Sequence, residues 1–413
     1  MTPPNARAVR EPADVDVAIV GAGATGSYLA ARLASLGASV VVLERRLDPP
    51  THTRAIGLHP PGLEALARVG AADPLVATGI PVRRGHGGAG APGRDLRRLG
   101  TIAFGAHLPD PWPFVLTAPQ HVTEGVLLDR LEALAPGAVR RGVTVRGRRE
   151  DAAGVTLEAS DARGGGTLEV RARDVIACTG ARGGAERWVA GRRAGRSFDD
   201  AYLMIDLPQA AEAWPAALGP LAADEAWIHL APAGVVEAFP LPGGVRRWVV
   251  RTPVPAEADP VHLARLVAGR MGVVLDPGAA TMRSSFGVEA RRATPMARGR
   301  TWLAGDAAHV VPPLGGQGMT LGWLGADELV DAWRAHREGR ATRADAMRTY
   351  ARRQGARARR ARLRAEANLR LGRPTRAAGV RDAALAAALR GPSAALLARA
   401  FTMRNLVGGP RSV

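Results

Sequence analysis

The stretch that decides the fold is VDVAIVGAGATG, residues 15–26. Val15 to Val20 is a short apolar run rich in β-branched residues, which is typical of a buried strand. Three glycines follow within the next six residues, and Tyr28 to Leu36 then has helical spacing. Ser39 to Leu43 is a second apolar run. This order of strand, glycine turn, helix and strand predicts the opening of a doubly wound parallel sheet.

A GxGxxG pattern alone has little weight in this chain, because 50 of its 413 residues are Gly. Two further matches begin at Gly85 and Gly88, but neither follows an apolar strand or opens a helix. We therefore interpret residues 83–98 as a Gly- and Arg-rich loop that crosses between domains. Only the first match has the context that the pattern requires.

In that context each glycine has a physical reason. Gly21 permits the tight turn, Gly23 lets a pyrophosphate approach the backbone, and Gly26 lets helix and strand pack closely. The N-terminus of the helix presents free N–H groups and partial positive charge to the phosphates. Glu44 ends the second strand, where a carboxylate accepts hydrogen bonds from an adenosine ribose. The sequence therefore predicts a dinucleotide site.

A second segment, RTWLAGDAAHVVPPLGGQGM, covers residues 300–319. It reads as a short strand ending at Gly305, a sharp turn and a helix start. Asp306, at the end of the strand, suits a polyol hydroxyl. A glycine-rich helix N-terminus suits a group that gains negative charge, such as a flavin on reduction.

With these two segments the chain resembles the flavin-dependent aromatic hydroxylases of the para-hydroxybenzoate hydroxylase class, which include the ubiquinone-biosynthesis hydroxylases. The resemblance covers roughly residues 14–335, and two shorter motifs, RAIGL at 54–58 and PQHVTE at 119–124, add to it. It implies that FAD is held by Gly21, Gly23, Gly26, Glu44, Arg45, Arg54, Gln120, Gly305, Asp306, Pro313, Gly315, Gly316, Gln317, Gly318 and Met319.

The same resemblance implies the activity. NADH or NADPH reduces FAD, reduced FAD and O2 form a C4a-hydroperoxide, and that species hydroxylates a phenolic or quinol-like small molecule. One departure affects the nicotinamide nucleotide: Thr179 and Gly183 stand where the family has Asp and Ser in a segment that serves FAD and NAD(P)H pyrophosphate. How the nucleotide binds, and whether an external reductase supplies the electrons, therefore stay open.

The expected fold class is α/β, with a Rossmann-like FAD-binding domain, an inserted β-sheet substrate domain and a helical C-terminal region. The chain is expected to divide into six segments. The FAD-binding domain takes residues 1–82, 111–190 and 286–335, the substrate domain takes 191–285 with a crossing segment at 83–110, and the Arg/Ala-rich helices take 336–413.

Two residues are candidates for contact with the substrate. Tyr202 shares a strand face with Met204 by alternation, and it could hydrogen-bond the substrate. His229, which shares a face with Trp227 on a later strand, could deprotonate a phenol, because the ordinary pKa of His is near neutral. A structural role for each is an open alternative.

Composition limits the partners. The net charge is +18 with no Lys, and residues 341–413 hold 17 Arg but only three acidic residues. Such helices could contact an anionic membrane; no specific nucleic-acid partner is expected. The single cysteine excludes an intrachain disulfide and a Cys-based metal cluster, and we predict no metal site. No secretory signal or membrane span is recognisable, so a cytoplasmic location is expected.

Two other functions fit the same motifs. A flavin-dependent reductase or dehydrogenase of an isoprenoid or polyketide intermediate would bind FAD without hydroxylating its product. A non-redox FAD-binding protein would bind the cofactor and show no substrate-stimulated oxidation of NAD(P)H.

Overall fold

The structure is a computed structural model that describes residues 15–51, 55–109, 111–254 and 257–406. The strands are β1 (Val15–Val20), β2 (Val40–Glu44), β3 (Gly57–Leu58), β4 (Ile80–Val82), β5 (Arg84–Ala91), β6 (Arg94–Ala103), β7 (Val115–Thr117), β8 (Val139–Arg141), β9 (Val143–Glu150), β10 (Val155–Asp161), β11 (Thr167–Ala177), β12 (Arg192–Pro208), β13 (Glu212–Ala213), β14 (Ala226–Ala231), β15 (Gly234–Leu241), β16 (Val245–Thr252), β17 (Val274–Leu275), β18 (Met282–Thr294), β19 (Ala297–Arg298), β20 (Thr301–Leu303) and β21 (His309–Val310). The helices are α1 (Ala24–Ala34), α2 (Pro60–Ala67), α3 (Ala72–Thr78), α4 (Gln120–Leu134), α5 (Pro260–Met271), α6 (Gly318–Arg337), α7 (Arg343–Leu371), α8 (Ala378–Ala388) and α9 (Ser393–Phe401).

The first sheet has the parallel centre that the opening sequence predicts. Its strands lie in the order β19-β20-β11-β1-β2-β8, and β1 runs parallel to both β2 and β11. The antiparallel pair β9 and β10 extends it beside β11. Helices α1, α2, α4 and α6 contribute to the main apolar core of this domain, with Leu29, Leu66 and Trp323 fully buried.

The second sheet has the order β21-β18-β12-β16-β15-β14-β5-β6. Its pairs are antiparallel except for β14 with β5. The terminal strand β21 follows directly after Asp306 and pairs with β18, with Arg291 opposite Val310. The two sheets are therefore joined at the turn that follows Asp306.

Each face of the second sheet packs against a different helix. On one face Leu203, Trp227 and Trp248 pack against Leu263 and other buried residues of α5. Helix α5 has clear end signals, because Asp259 accepts hydrogen bonds from two N–H groups of its first turn and Gly272 ends it at φ +74°. On the other face, Tyr202, Met204 and Val249 pack with Leu314 and with Leu369 of α7. We call this second surface the Tyr202 face.

The Arg-rich C-terminal region is helical, as the sequence predicts, through Leu406. It returns along the second sheet: Arg373 forms an ion pair with the buried Asp200, and the Arg381 side chain donates to the Leu230 carbonyl at 2.6 Å. Further along, the ring of Phe401 stacks on that of Phe104 with centroids 6.0 Å apart. No helix within the described ranges has the length and apolar character needed to cross a membrane.

Two sequence expectations differ from the structure. The expected loop at 83–98 is wrong, because residues 84–91 and 94–103 form a hairpin whose first strand pairs with β14. Its glycines fit this place, since a Cβ at Gly88 would lie only 2.6 Å from atoms of Trp227 and His229. The boundary at 285/286 falls inside β18, which stays in the second sheet as far as Thr294.

Replacing Leu263 by Ala tests the apolar core between α5 and the second sheet. The Leu263 side chain is fully buried, so the free energy of unfolding should fall by about 2–5 kcal/mol. Urea unfolding followed by tryptophan fluorescence measures it. The control is Val261→Ala on the same helix, where the side chain is 42% exposed and the change should stay within about 0.5 kcal/mol. Equal effects of the two substitutions would contradict this packing.

Candidate functional site

The turn between β1 and α1 brings three backbone segments into contact. Gly21 has φ +107°, and a Cβ there would lie 2.5 Å from the carbonyl oxygen of Cys178. A Cβ at Gly26 would lie 1.9 Å from the carbonyl oxygen of Gly21. Gly23 differs, because its nearest neighbour is a Glu124 oxygen at 3.6 Å. Two glycines are therefore required by packing, and the third leaves open space at the N-terminus of α1.

Glu44, at the end of β2, lies beside this turn. Its carboxylate accepts the N–H of Ala22 at 2.9 Å and both the N–H and the Nε of Arg46 at 3.0 Å. Burial alone would raise the pKa of Glu44, but these hydrogen bonds hold it below its ordinary value. The carboxylate is therefore ionised at neutral pH and can accept a ribose hydroxyl.

Gln120 contacts the same turn indirectly, through Glu124, a residue that we did not select from the sequence. Its Nε2 donates to Glu124 at 2.7 Å, and the same Glu124 oxygen accepts the N–H of Ala24 at 3.1 Å. Glu124 therefore satisfies one of the free amides at the start of α1. The PQHVTE motif carried this signal, since its last residue is Glu124.

The second glycine-rich segment meets the first at Thr25. A Cβ at Gly305 would lie 2.8 Å from the Thr25 hydroxyl oxygen, and one at Gly322 of α6 would lie 2.5 Å from it. The Trp323 indole donates to the Ala24 carbonyl at 3.0 Å. The start of α1, the Gly305 turn and α6 therefore form one continuous surface.

Asp306 presents a carboxylate at this surface. Its side chain is solvent-accessible, and among the described residues it makes no hydrogen bond or ion pair. Desolvation by the surrounding protein raises the pKa of Asp306 to about 6, and the positive charge of the nearby Arg193 guanidinium limits this increase. Arg193 is itself held by the carbonyl of Ala307 at 3.2 Å, and no local sequence signal identified it. Asp306 is thus free to accept a hydrogen bond from a ligand.

Residues 311–317, here called the glycine loop, lie between β21 and α6. The Nε2 of His59 donates to the Gly315 carbonyl at 2.7 Å, and burial lowers the pKa of His59 to about 3, so the ring is neutral. Gly316 has φ +63° and packs against Gly57. The Gln317 amide donates to the Leu314 carbonyl at 3.1 Å. These contacts fix the loop, while the first amides of α6, at Gly318 and Met319, have no partner within the helix.

The structure places one candidate substrate residue beside this loop. Tyr202 lies on the Tyr202 face in the same apolar cluster as Leu314 of the glycine loop. Its hydroxyl is buried and has no hydrogen-bond partner among the described residues. Burial, followed by the charges of Glu237 and Asp200, holds the pKa of Tyr202 well above its ordinary value, so the hydroxyl is a donor.

The other candidate, His229, is on the opposite face. It pairs across β15 and β16 with Val236 and Val250, which pack toward α5. Its Nε2 donates to the Gly90 carbonyl at 3.0 Å, and burial lowers its pKa to about 4. The structure therefore does not bring His229 and Tyr202 together.

Three other residues predicted to bind FAD are Pro313, Arg45 and Arg54. Pro313, in the glycine loop, accepts the Gly316 N–H at 2.9 Å through its carbonyl. Arg45 is exposed immediately after β2, and Arg54 lies outside the described residues. Within the described part of the chain, no cluster of three or more His, Cys, Asp or Glu side chains could hold a metal ion.

The site fits FAD. An open helix N-terminus with an ionised carboxylate beside it suits the adenosine and pyrophosphate, and a free carboxylate followed by a second helix N-terminus suits the ribityl chain and the flavin ring. Comparison with known proteins agrees: the sequence profile of the family described as "FAD binding domain" matches residues 14–365, well over half of the chain. The chain belongs to this family.

Relatives in the FAD-binding family share sequence as well as motifs. Rifampicin monooxygenase of Streptomyces venezuelae is 32% identical over 335 residues, which are 77% of this chain and 65% of that protein. The 6-methylpretetramide 4-monooxygenase of Streptomyces rimosus is 33% identical over 325 residues, 77% of this chain and 55% of that protein. The chain thus spans about half to two thirds of the length of these curated relatives.

A solved structure shows the same fold. The p-nitrophenol 4-monooxygenase of Pseudomonas putida superposes with a TM-score of 0.80 and covers 96% of this chain and 99% of that one. Its sequence is 22% identical, so the likeness concerns the fold alone. The predicted α/β class, with a Rossmann-like domain and a second sheet, is confirmed.

Substituting Gly26 by Ala should damage this site. The added Cβ would meet the Gly21 carbonyl oxygen at 1.9 Å, and neither backbone can move away without opening the turn. We expect a loss of about 1–3 kcal/mol in the free energy of unfolding and a loss of bound flavin. The measurements are urea unfolding and the ratio of flavin to protein absorbance.

Gly269→Ala is the matched control. Gly269 lies in α5, and a Cβ there would meet nothing within 4 Å. This substitution should keep the flavin and stabilise the protein by up to about 1 kcal/mol, because Ala is the better helix former. Flavin retained at the normal ratio in Gly26→Ala would show that the turn is not the cofactor site.

Proposed function

We propose that this chain is an FAD-dependent monooxygenase that hydroxylates a phenolic or quinol-like small molecule, with electrons from NADH or NADPH and with O2. The observation that carries the proposal is the meeting of two glycine-rich segments at Thr25, next to a sheet face with the unpartnered Tyr202 hydroxyl. The names of the relatives support it, since they include an aromatic hydroxylase of Paraburkholderia xenovorans that acts on 3-(3-hydroxyphenyl)propionate.

In this proposal the chain's own residues bind FAD and orient the substrate. Gly21, Gly23, Gly26, Glu44, Arg45 and Gln120 hold the adenosine end, and Arg54 contacts the flavin side. Gly305, Asp306, Pro313, Gly315, Gly316, Gln317, Gly318 and Met319 hold the ribityl and flavin end. Bound FAD supplies electron transfer and the activation of O2. Tyr202 donates a hydrogen bond to the substrate oxygen, while His229, which faces α5, has no place in the proposal.

The electron donor is part of the same proposal. Thr179 packs so closely against Gly183 that position 183 has no room for a side chain, because a Cβ there would lie 2.1 Å from the Thr179 hydroxyl oxygen. A Ser at position 183 would therefore need a different backbone. Direct reduction by NADH or NADPH is supported by a relative named as a probable NADH-specific resorcinol 4-hydroxylase. The alternative is delivery of electrons by an external reductase.

The reductase and non-redox alternatives receive less support. The relatives named above are monooxygenases or hydroxylases, which favours hydroxylation over both alternatives. Peripheral membrane contact and a cytoplasmic location stay predictions. Several C-terminal arginines are occupied by ion pairs, such as Arg353 and Arg357 with Glu328 and Arg362 with Glu366, which supports a structural role for them.

The reaction class can be tested by following bound flavin anaerobically. On addition of NADH or NADPH its absorbance should bleach, and a phenol that binds at the Tyr202 face should accelerate the bleaching. With O2 restored, the same phenol should be recovered hydroxylated. A flavin reduced by neither nucleotide points to an external reductase, and reduction without hydroxylation of any phenol contradicts the proposal.

The role of Asp306 predicts a pH dependence. The ionised carboxylate accepts a ribityl hydroxyl more strongly than the protonated acid does, and the pKa of Asp306 is about 6, so the affinity for FAD should rise by up to about tenfold between pH 5 and 7. Titration of the apoprotein with FAD measures it. Asp306→Asn should bind more weakly and lose this dependence, whereas Asp224→Asn, at an exposed position, should match the wild type. The same pH dependence in Asp306→Asn would exclude the contact.

A further inference from the structure

One acidic side chain on the Tyr202 face has no role so far. Glu237 lies on β15, where it pairs with Ile228 on one side and with Val249 on the other. Val249 pairs in turn with Met204, so all four side chains point to the same face of the sheet. Val249 and Met204 belong to the cluster that includes Leu314 of the glycine loop. Strand register thus places Glu237 on the side of the sheet that faces the glycine loop.

Glu237 differs from the buried acids Asp200 and Asp206 in having no partner among the described residues. Asp200 is paired with Arg251 at 2.6 Å and with Arg373 at 2.5 Å. Asp206 is paired with Arg247 through two contacts of 2.7 Å. Among the described residues, Glu237 makes neither a hydrogen bond nor an ion pair, although it is only 9% exposed.

The groups opposite Glu237 leave it in an apolar setting. Its cross-strand neighbours are Ile228 and Val249, and the elements packed on this face contribute Leu314 and Leu369. Burial raises the pKa of Glu237 to about 7. The charge of Glu237 raises the pKa of Tyr202. The other charged groups that pack on this face are paired with one another: Asp200 with Arg251 and Arg373, and Arg381 with Asp382.

An unpaired buried carboxyl costs stability and calls for an explanation. Here two unsatisfied groups, Glu237 and the Tyr202 hydroxyl, share one face beside the glycine loop. One accepts a proton and the other donates a hydrogen bond. The hydroxyl group of a bound phenol would satisfy both, because it can donate to Glu237 and accept from Tyr202.

We propose that Glu237 is the general base that takes the hydroxyl proton of the phenolic substrate, while the Tyr202 hydroxyl hydrogen-bonds the resulting phenolate oxygen. This inference rests on the proposed function. The O–H bond of the phenol breaks, the proton moves to a Glu237 oxygen, and the electron pair stays on the phenol oxygen. The ring becomes more electron-rich and so more reactive toward electrophilic oxygen.

The test compares two phenols of different acidity with FAD-loaded wild type and Glu237→Gln. Resorcinol ionises weakly and needs a base, whereas 4-nitrophenol ionises readily by itself. At pH 7 the variant should lose about 100-fold or more in kcat/KM for resorcinol and only a few fold for 4-nitrophenol. A residue that merely supports the fold would lower both equally.

The pH profile gives a second readout. Wild-type kcat/KM for resorcinol should rise as pH increases through about 7, where Glu237 ionises, and this rise should be absent from Glu237→Gln. Glu237→Asp keeps a carboxyl and should recover part of the lost rate. Glu158→Gln, an identical change at an exposed position, should behave as the wild type. Unchanged rates and profile in Glu237→Gln would overturn the proposal.

Binding separates failure of this inference from failure of the proposed function. If the wild type hydroxylates no phenol, the proposed function fails. The absorbance of 4-nitrophenol added to the oxidised, FAD-loaded protein then decides the role of Glu237, because ionisation of this phenol is visible directly. Ionisation of the bound phenol that differs between wild type and Glu237→Gln supports proton exchange with Glu237. Identical spectra, or no binding to either protein, overturn it.

Discussion

At Gly21 the backbones of three segments come so close that no side chain fits between them. The Cys178 carbonyl at the end of β11, the turn after β1 and the first turn of α1 all meet there. Because β11 also pairs with β20, this contact fixes the position of the Gly305 turn relative to the start of α1. The proposed adenosine and ribityl contacts both depend on that relation.

The same arrangement extends to the second sheet. The chain leaves the Gly305 turn and enters β21, whose pairing with β18 connects the first domain to the sheet that carries Tyr202. Leu314 of the glycine loop and Leu369 of α7 then pack against that sheet. The C-terminal helices are therefore part of the wall around the Tyr202 face, and the Arg373 to Asp200 ion pair holds them there.

Local patterns predicted what depends on local interactions. The strand that begins at Val15, the glycine turn and helix that follow it, and the Asp306 turn are all encoded in short stretches with clear spacing. The hairpin at 84–103 was not predicted, because its glycines have low strand propensity and β14, the strand that orders it, lies far along the chain.

The substrate side of the site depends on register, which one strand does not reveal. Alternation correctly put Trp227 and His229 on one face, but only pairing through β15 and β16 shows that this face lies opposite Tyr202. The same pairing assigns Glu237 to the Tyr202 face. Within its own strand Glu237 is an acid among apolar residues, with no spacing that marks it.

A crystal structure of the protein with FAD tests the central claim most directly. The account predicts the pyrophosphate at Gly23 and the start of α1, a ribityl hydroxyl on Asp306, and the flavin ring between the glycine loop and the Tyr202 face. A flavin ring bound on the α5 side of the second sheet, or FAD held away from both glycine-rich segments, would contradict it.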